Sequence, residues 1–522
     1  MTIESLIVLL GVAAVAVVLA KWLKLPSIPL FVICGLVLST TPLRPQYDAL
    51  NEVLLIGLTF LVFLGGTQLS PHRLHRGPKA AILAGLVQYA VLGLAAFAAC
   101  RTIGVDVMTS LYIAAAVGIS STLVVVRILQ QRRQLYEPFG QFALGILLVQ
   151  DLVVVFILAM VTHLDAGWSP MLIAFVSVVG LFLASWLARQ YVVPRLMLSG
   201  DKDEETQLVL AFGLAAIFIG ASVGLGLHFV IGAFFAGFAL SSFPTEGLLK
   251  AQFSSLADFF LALFFVALGA LISWPSASGL ILAGALILLL LILTPLVVTA
   301  IGEHFKLTTR RSVESGILLS QTSELSLVVA FVGFQAGKLS NEVVNIVVMV
   351  TIVTMMLTPF LANDRLIWLL TRLRPSRTSR KLEGELRSPV LLLGAGVTGQ
   401  ELLEKICGKV ESVVVVDEDP GALQVCNRPG VATLRGDAAD PRVLEEAGFS
   451  KASIIISTLR DVKDNEAISR LPRKGPLYVR VFEEEEERRV REAGAIPVQA
   501  SRLAAEAFAE WYHSNPQLAT TE

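Results

Sequence analysis

The chain has 522 residues, 55% of them hydrophobic and 16% charged, with a formal net charge of −1. Soluble globular chains carry about 25% charge, so this composition excludes a single soluble domain and a disordered tail protein. The near-zero net charge excludes a global basic field for nucleic acid, and the unpaired spacing of Cys34, Cys100, Cys407 and Cys426 excludes a secreted disulfide scaffold.

From Met1 to about Leu370, apolar runs recur with hardly a charge inside them. Thirteen spans are read: 3–20, 27–41, 50–69, 79–100, 108–129, 138–161, 168–189, 206–226, 228–243, 256–273, 277–301, 313–336 and 341–363. Most approach the roughly 20 residues that a bilayer core demands of a helix. The second and ninth are short, which leaves a count of twelve open. The first is not read as a signal peptide, because no Lys or Arg precedes it and no small-residue cleavage site is clear. With the N-terminus outside, fifteen Lys and Arg fall in inside loops, against Arg44, Arg101 and Lys338 outside. This positive-inside bias supports an odd span count and puts the C-terminal portion in the cytoplasm. The basic, Ser-containing stretch Arg372–Lys381 reads as a linker along the headgroups. The chain is thus expected to divide into a membrane domain at 1–370, a linker at 371–387 and a cytoplasmic domain at 388–522.

A polar side chain inside hydrocarbon is costly and marks a functional candidate. The sixth span carries Gln150 and Asp151 near its middle. A lone carboxylate there can hold a proton or a dehydrated cation but not both, and that exclusion is the minimum machinery of antiport. The fifth span is interrupted by Gly118-Ile-Ser120-Ser121-Thr122, and the twelfth by Ser320-Gln321-Thr322-Ser323-Glu324. Broken helices at matching positions in two halves are the sign of an inverted-repeat transporter with its site between the breaks. The halves run roughly over 1–161 and 206–363, and the seventh span joins them. Ser121, Thr122 and Glu324 are therefore candidates beside Gln150 and Asp151. Asp258, opening the tenth span, reads as a candidate or as an interface marker.

After the linker the pattern changes to alternating strand-like and helix-like segments. A strand over 389–393 runs into Gly394, Ala395, Gly396, Val397, Thr398 and Gly399, followed by a helix. A second strand, 413–416, ends at Asp417 and Glu418. In this strand–turn–helix–strand–acid order, a Gly-x-Gly-x-x-Gly run is a dinucleotide-binding fingerprint. The glycines admit a pyrophosphate at a helix N-terminus, and the acid accepts ribose hydroxyls, which favours NAD(H) or AMP over NADP. Strands at 431–435, 453–457, 477–481 and 496–498 complete a six-strand doubly wound, Rossmann-like α/β sheet, with Asp437 and Ala438 after the third. No Cys, His or Lys is arranged for hydride transfer, so this domain reads as a nucleotide sensor, not as an enzyme.

Gln150-Asp151, the Gly-Ile-Ser-Ser-Thr break, Gln321-Thr-Ser-Glu324 and Arg435-Gly-Asp-Ala438 resemble the marks of one family. It comprises monovalent cation:proton antiporters of the glutathione-gated potassium-efflux (Kef) type. The resemblance covers nearly the whole chain. It implies a polytopic α-helical, sodium/proton-antiporter-like membrane domain with a cytoplasmic RCK/KTN regulatory domain, in the inner membrane of a bacterium. It further implies that Asp151 carries K+ and proton in turn, while Gln150, Thr122, Ser121 and Glu324 shape the site. Gly394, Gly396, Gly399, Asp417 and Asp437 match the family's AMP or NADH pocket. Homodimers, membrane lipids and a cytoplasmic regulator are the implied partners. Two departures, an ending at Glu522 and a loop after Pro244 with one acid and one base, lead us to expect regulation by nucleotide without glutathione gating. A sodium/proton antiporter and a nucleotide-gated potassium channel are the alternatives; the chain contains no Thr-Val-Gly-Tyr-Gly filter.

Overall fold

The computed structural model describes residues 3–23, 27–68, 78–132, 134–135, 137–163, 167–198, 204–241, 245–305, 307–372 and 388–514. The predicted linker from 373 onward lies outside them, as do Lys24, Arg73, Arg76, Arg133, Lys202, Pro244 and Lys306. The chain forms two compact units, Met1–Lys306 with Arg311–Thr371, and Leu307–Arg310 with Arg372–Glu522.

The first unit is helical. It opens with α1 (Ile3–Leu23), α2 (Ser27–Ser39), α3 (Tyr47–Gln68) and α4 (Pro78–Thr102). Next come α5 (Val107–Val117), α6 (Thr122–Gln131), α7 (Pro138–Val161) and α8 (Trp168–Leu187), and a π-turn at Ala188–Val192 leads into α9 (Val193–Leu198). The second half holds α10 (Glu204–Gly224), α11 (Phe229–Leu240), α12 (Thr245–Leu271) and α13 (Ala277–His304). It ends with α14 (Thr309–Leu318), α15 (Glu324–Gln335), α16 (Asn341–Leu361) and α17 (Asp364–Arg372). Among the described residues nine helices are long and apolar enough to cross a membrane, and four shorter apolar ones join them. These fall on the thirteen predicted spans. Three boundaries differ. Helix α12 starts at Thr245, so the stretch read as a loop after Pro244 has helical backbone; it contains no proline to stop a helix. The seventh span continues through the π-turn to Leu198, and α17 occupies residues beyond the last span.

Both broken spans break where the hydroxyl residues predicted. Ser121 is the N-cap of α6, accepting from the Val124 N–H, and Ser323 caps α15 in a capping box with Ser326. A serine that caps a new helix start satisfies backbone donors that hydrocarbon would leave bare.

The helices sort into two sets. α1–α3 pack with α10–α12, while α4, α5 and α7 pack with α13, α15 and α16. In the first set the backbones meet without side chains between them. A methyl added to Gly35 of α2 would land on the Val266 carbonyl of α12, and one on Gly269 would land on the Val32 carbonyl. The same reciprocal contact recurs between α3 and α11, through Gly66 against Phe234 and Gly237 against Phe63. Small residues at a helix crossing are what allow this approach in lipid, where van der Waals contact drives association.

A buried charge network ties the second set at one end. Glu314 of α14 accepts from Arg132 Nη1 and from Arg311 Nη1, both at 3.1 Å. Arg311 also pairs with Glu137, the N-cap of α7, at 3.4 Å and lies 4.7 Å over the Phe139 ring. Arg132, the C-cap of α6, donates in addition to the Ala362 carbonyl after α16. Four helix ends are thereby joined through two arginines and two glutamates.

The second unit is a six-stranded parallel sheet in the order β3-β2-β1-β4-β5-β6. Its elements are β1 (Val390–Leu393), α18 (Val397–Ile406), β2 (Val413–Asp417), α19 (Pro420–Val425), β3 (Val431–Arg435) and α20 (Pro441–Glu446). They continue as β4 (Ile454–Ser457), α21 (Val462–Ser469), β5 (Leu477–Val481), α22 (Glu484–Glu492), β6 (Ile496–Gln499) and α23 (Ala500–Ser514). Strand β1 is buried along its whole length, as the apolar run Val-Leu-Leu-Leu requires of a central parallel strand. The order reverses between β1 and β4, where doubly wound sheets open a crevice for ligands.

Candidate functional site

The break between α5 and α6 and the break between α14 and α15 are joined to each other. Ser120 Oγ donates to the Leu319 carbonyl at 2.8 Å, and Ser326 Oγ donates to the Ala116 carbonyl at 2.5 Å. Ser121 Oγ donates to Glu324 Oε2 at 2.8 Å, so the cap of one half-helix rests on the first residue of the other. Helix α7 brings its polar pair to this junction. Gln150 is fully buried and its Oε1 accepts the Ser120 N–H at 3.0 Å. Asp151 is 2% exposed, and its Oδ2 accepts from Thr122 Oγ1 at 3.0 Å. All five predicted membrane-site residues thus come together.

The satisfaction of these groups is uneven. Asp151 Oδ1 and Gln150 Nε2 are buried without a hydrogen-bond partner among the described residues. Neither Asp151 nor Glu324 has a lysine or arginine within salt-bridge reach there. A buried polar atom without a partner is costly and calls for an explanation. A cation or a proton at Asp151 Oδ1 supplies one. Thr122 is the first residue of α6, so the carboxylate also lies at a helix N-terminus, where the macrodipole favours negative charge.

Sequence reasoning missed the supports behind this arrangement. Gln88 of α4, fully buried, donates to Ser120 Oγ at 3.1 Å. Thr351 and Thr354 of α16 brace the second break, the first accepting from Thr322 Oγ1 at 2.9 Å and the second from the Thr322 N–H at 3.2 Å. A lone amide inside an apolar span was the available signal for Gln88. Asp258 lies elsewhere, with its side chain 71% exposed and 3.8 Å from Arg127.

In the second unit the glycine turn has the form its motif requires. Gly394 sits at φ +96°, a left-handed conformation that favours glycine. Gly399 presses on the Gly394 carbonyl, where a methyl would collide, and the space around a methyl on Gly396 is open. Open space over Gly396, which caps α18, is what an incoming phosphate needs. Asp417 ends β2; its Oδ2 accepts the Ala395 N–H and its Oδ1 the Asp419 N–H at 2.8 Å. Burial pushes the Asp417 carboxyl above its ordinary range, and these two backbone donors pull the other way. The acid therefore holds the glycine turn in shape and still offers lone pairs to a ribose. Ala395, Val397 and Thr398 lie in the turn and the first turn of α18, and Glu418 follows Asp417. Asp437 and Ala438 are buried after β3. Asp437 accepts from the Ala439 N–H at 2.8 Å. The residues fit a nucleotide.

Paired helix breaks around a buried carboxylate, followed in the same chain by a dinucleotide-type sheet, define a polytopic ion exchanger with a nucleotide-binding regulatory domain. Comparison with known proteins agrees. Residues 7–363 match the family described as sodium/hydrogen exchanger, transmembrane, and residues 390–499 match the TrkA-N domain. The chain belongs to the sodium/hydrogen exchanger family. It is 28% identical over 502 residues to the glutathione-regulated potassium-efflux system protein KefC of Salmonella schwarzengrund, covering 90% of this chain and 77% of that one. The sodium proton antiporter MjNhaP1 of Methanocaldococcus jannaschii matches in structure with a TM-score of 0.54 and 16% identity, over 70% of this chain and 99% of that one.

Proposed function

We propose that this protein exchanges a monovalent cation, potassium, for protons by alternating access, with both competing for Asp151. It works in the inner membrane of a bacterium, N-terminus outside, as a transporter and not an enzyme. The observation that carries this reading is Asp151 itself. One carboxylate oxygen is held by Thr122 and the other is buried without a partner among the described residues, beside a Gln150 amide, at the junction of two broken helices. Such a site offers one anionic position to two cationic passengers. The potassium-efflux relatives support potassium, and the excess of Lys and Arg in alternate loops supports the orientation.

The second unit lies in the cytoplasm and regulates the exchanger through an adenine nucleotide, AMP or NAD(H), seated on the glycine turn with its ribose on Asp417. The protein acts as a homodimer. In its favour, α23 buries no residue, and its Leu503, Phe508 and Tyr512 are each more than half exposed. A sodium/proton exchanger is the second reading, favoured by the description of the family.

Proteoliposomes carrying a pH dye decide between them. A K+ pulse is expected to release internal protons, with Rb+ close behind and Na+ weaker. A larger Na+ response would move the reading to sodium, and cation flux that ignores a collapsed pH gradient would move it to a channel. Adenine nucleotide is expected to raise the melting temperature of the full chain, with a free energy that follows RT ln(1+[L]/Kd). Asp417→Ala should erase that shift; an unchanged shift would place the ribose elsewhere.

A further inference from the structure

The nucleotide crevice is electrically lopsided. On the β2 side stand Asp417, Glu418 and Asp419, an acidic edge suited to hydroxyls and repellent to phosphate. On the other side of the β1–β4 switch point stands Arg480, the fourth residue of β5. Its Nη1 donates to Thr398 Oγ1 at 2.6 Å, inside the glycine turn, and its Nη2 donates to the Thr458 carbonyl after β4 at 2.7 Å. Its Nε is buried without a partner among the described residues. The guanidinium carbon lies 5.0 Å from the centre of the Phe482 ring. Burial and the charge of the nearby Arg460 both work against its protonated form, so this cation stands partly desolvated beside a second one.

A strand arginine held so close to the glycine turn, with one donor unspent and another cation near it, calls for an anion. The direction of the crevice says which one. A nucleotide whose ribose meets Asp417 lays its first phosphate over Gly396 at the start of α18. The phosphate chain then continues away from the acidic edge, toward β4 and β5, and a second phosphate comes to the Arg480 side. AMP ends before it.

We propose that Arg480 is a specificity-determining residue that reads the second phosphate, so that the regulatory unit selects adenine nucleotides with a diphosphate group, ADP or NAD(H), over AMP. This rests on the nucleotide reading above. Arg480 leaves Thr398 Oγ1 for the phosphate and keeps Thr458 as its anchor. A planar guanidinium matches two phosphate oxygens at once, which lysine cannot do.

The test is equilibrium binding to the full chain in detergent, measured by calorimetry with AMP, ADP and NAD+. The wild type is expected to bind ADP and NAD+ about tenfold or more tighter than AMP, the scale of one charge-assisted contact. Arg480→Gln should remove that preference and leave AMP binding within about twofold, which also shows that the unit is folded. Arg480→Lys should keep part of the preference. A wild type that binds AMP as tightly as ADP overturns the inference whatever the variants do, and so does an Arg480→Gln chain that keeps the preference. Equal weakening of AMP and ADP by Arg480→Gln makes the arginine a support of the turn and also overturns it. If the wild type binds none of the three, the nucleotide reading itself fails. If all three bind and Asp417→Ala abolishes them while Arg480→Gln changes nothing, only the present inference fails.

Discussion

Asp151→Asn is expected to abolish cation-driven proton release, a loss of about a hundredfold or more, in a chain that still folds and inserts. The substitution keeps the volume and keeps an oxygen to accept from Thr122. It removes only the charge. An isolated carboxylate in hydrocarbon costs several kcal/mol, and occupation by a cation or a proton relieves that cost. An amide carries no such cost, so neither passenger gains by entering. The competition also has a sign. As pH falls, protons occupy the carboxylate more of the time, so the cation concentration for half-maximal exchange should rise. Dye-based flux in proteoliposomes over a range of pH and K+ reads both effects. Exchange at the normal rate in the Asn variant would end the mechanism.

Glu314→Gln should lower the stability of the membrane unit by about 3 kcal/mol, because it takes the buried carboxylate away from Arg132 and leaves Arg311 only its weaker pair with Glu137. Arg132 and Arg311 both direct a guanidinium at this carboxylate, and its side chain is 3% exposed. Water is scarce there to take over the solvation. Replacing Arg132 by Met and Glu314 by Leu together removes one charge of each sign and leaves the Arg311–Glu137 pair intact. That double variant should recover most of the loss. Heating the full chain in detergent and following the monodisperse fraction measures the order: wild type, double variant, Glu314→Gln. A single variant as heat-resistant as the wild type would show that the network is not a stability element.

Much of this architecture could be read in the residues. The spans are visible because hydrocarbon tolerates few charges, and the two breaks because hydroxyl and amide side chains interrupt long apolar runs at Gly118–Thr122 and Ser320–Glu324. The switch point is visible because a buried apolar strand runs into a glycine turn. Other features have no local signature. The bond from Ser120 to the Leu319 carbonyl links residues 199 positions apart, and only the crossing of the two breaks creates it. Gln88 is one amide in one span, Thr351 and Thr354 look like ordinary members of a membrane helix, and Arg480 is one arginine on a strand. The helix start at Thr245 departs from the loop that the family resemblance implied, and neither Glu246 nor Lys250 opposes a helix.

The twin glycine crossings have a mechanical consequence. At Gly35–Gly269 and Gly66–Gly237, main chain rests on main chain, and a slide of either helix would drive neighbouring side chains into a gap that has no width for them. The four helices α2, α3, α11 and α12 therefore behave as a fixed wall. On the exchange proposed above, the movement that carries an ion would then fall to the helices packed around Asp151, sliding along that wall.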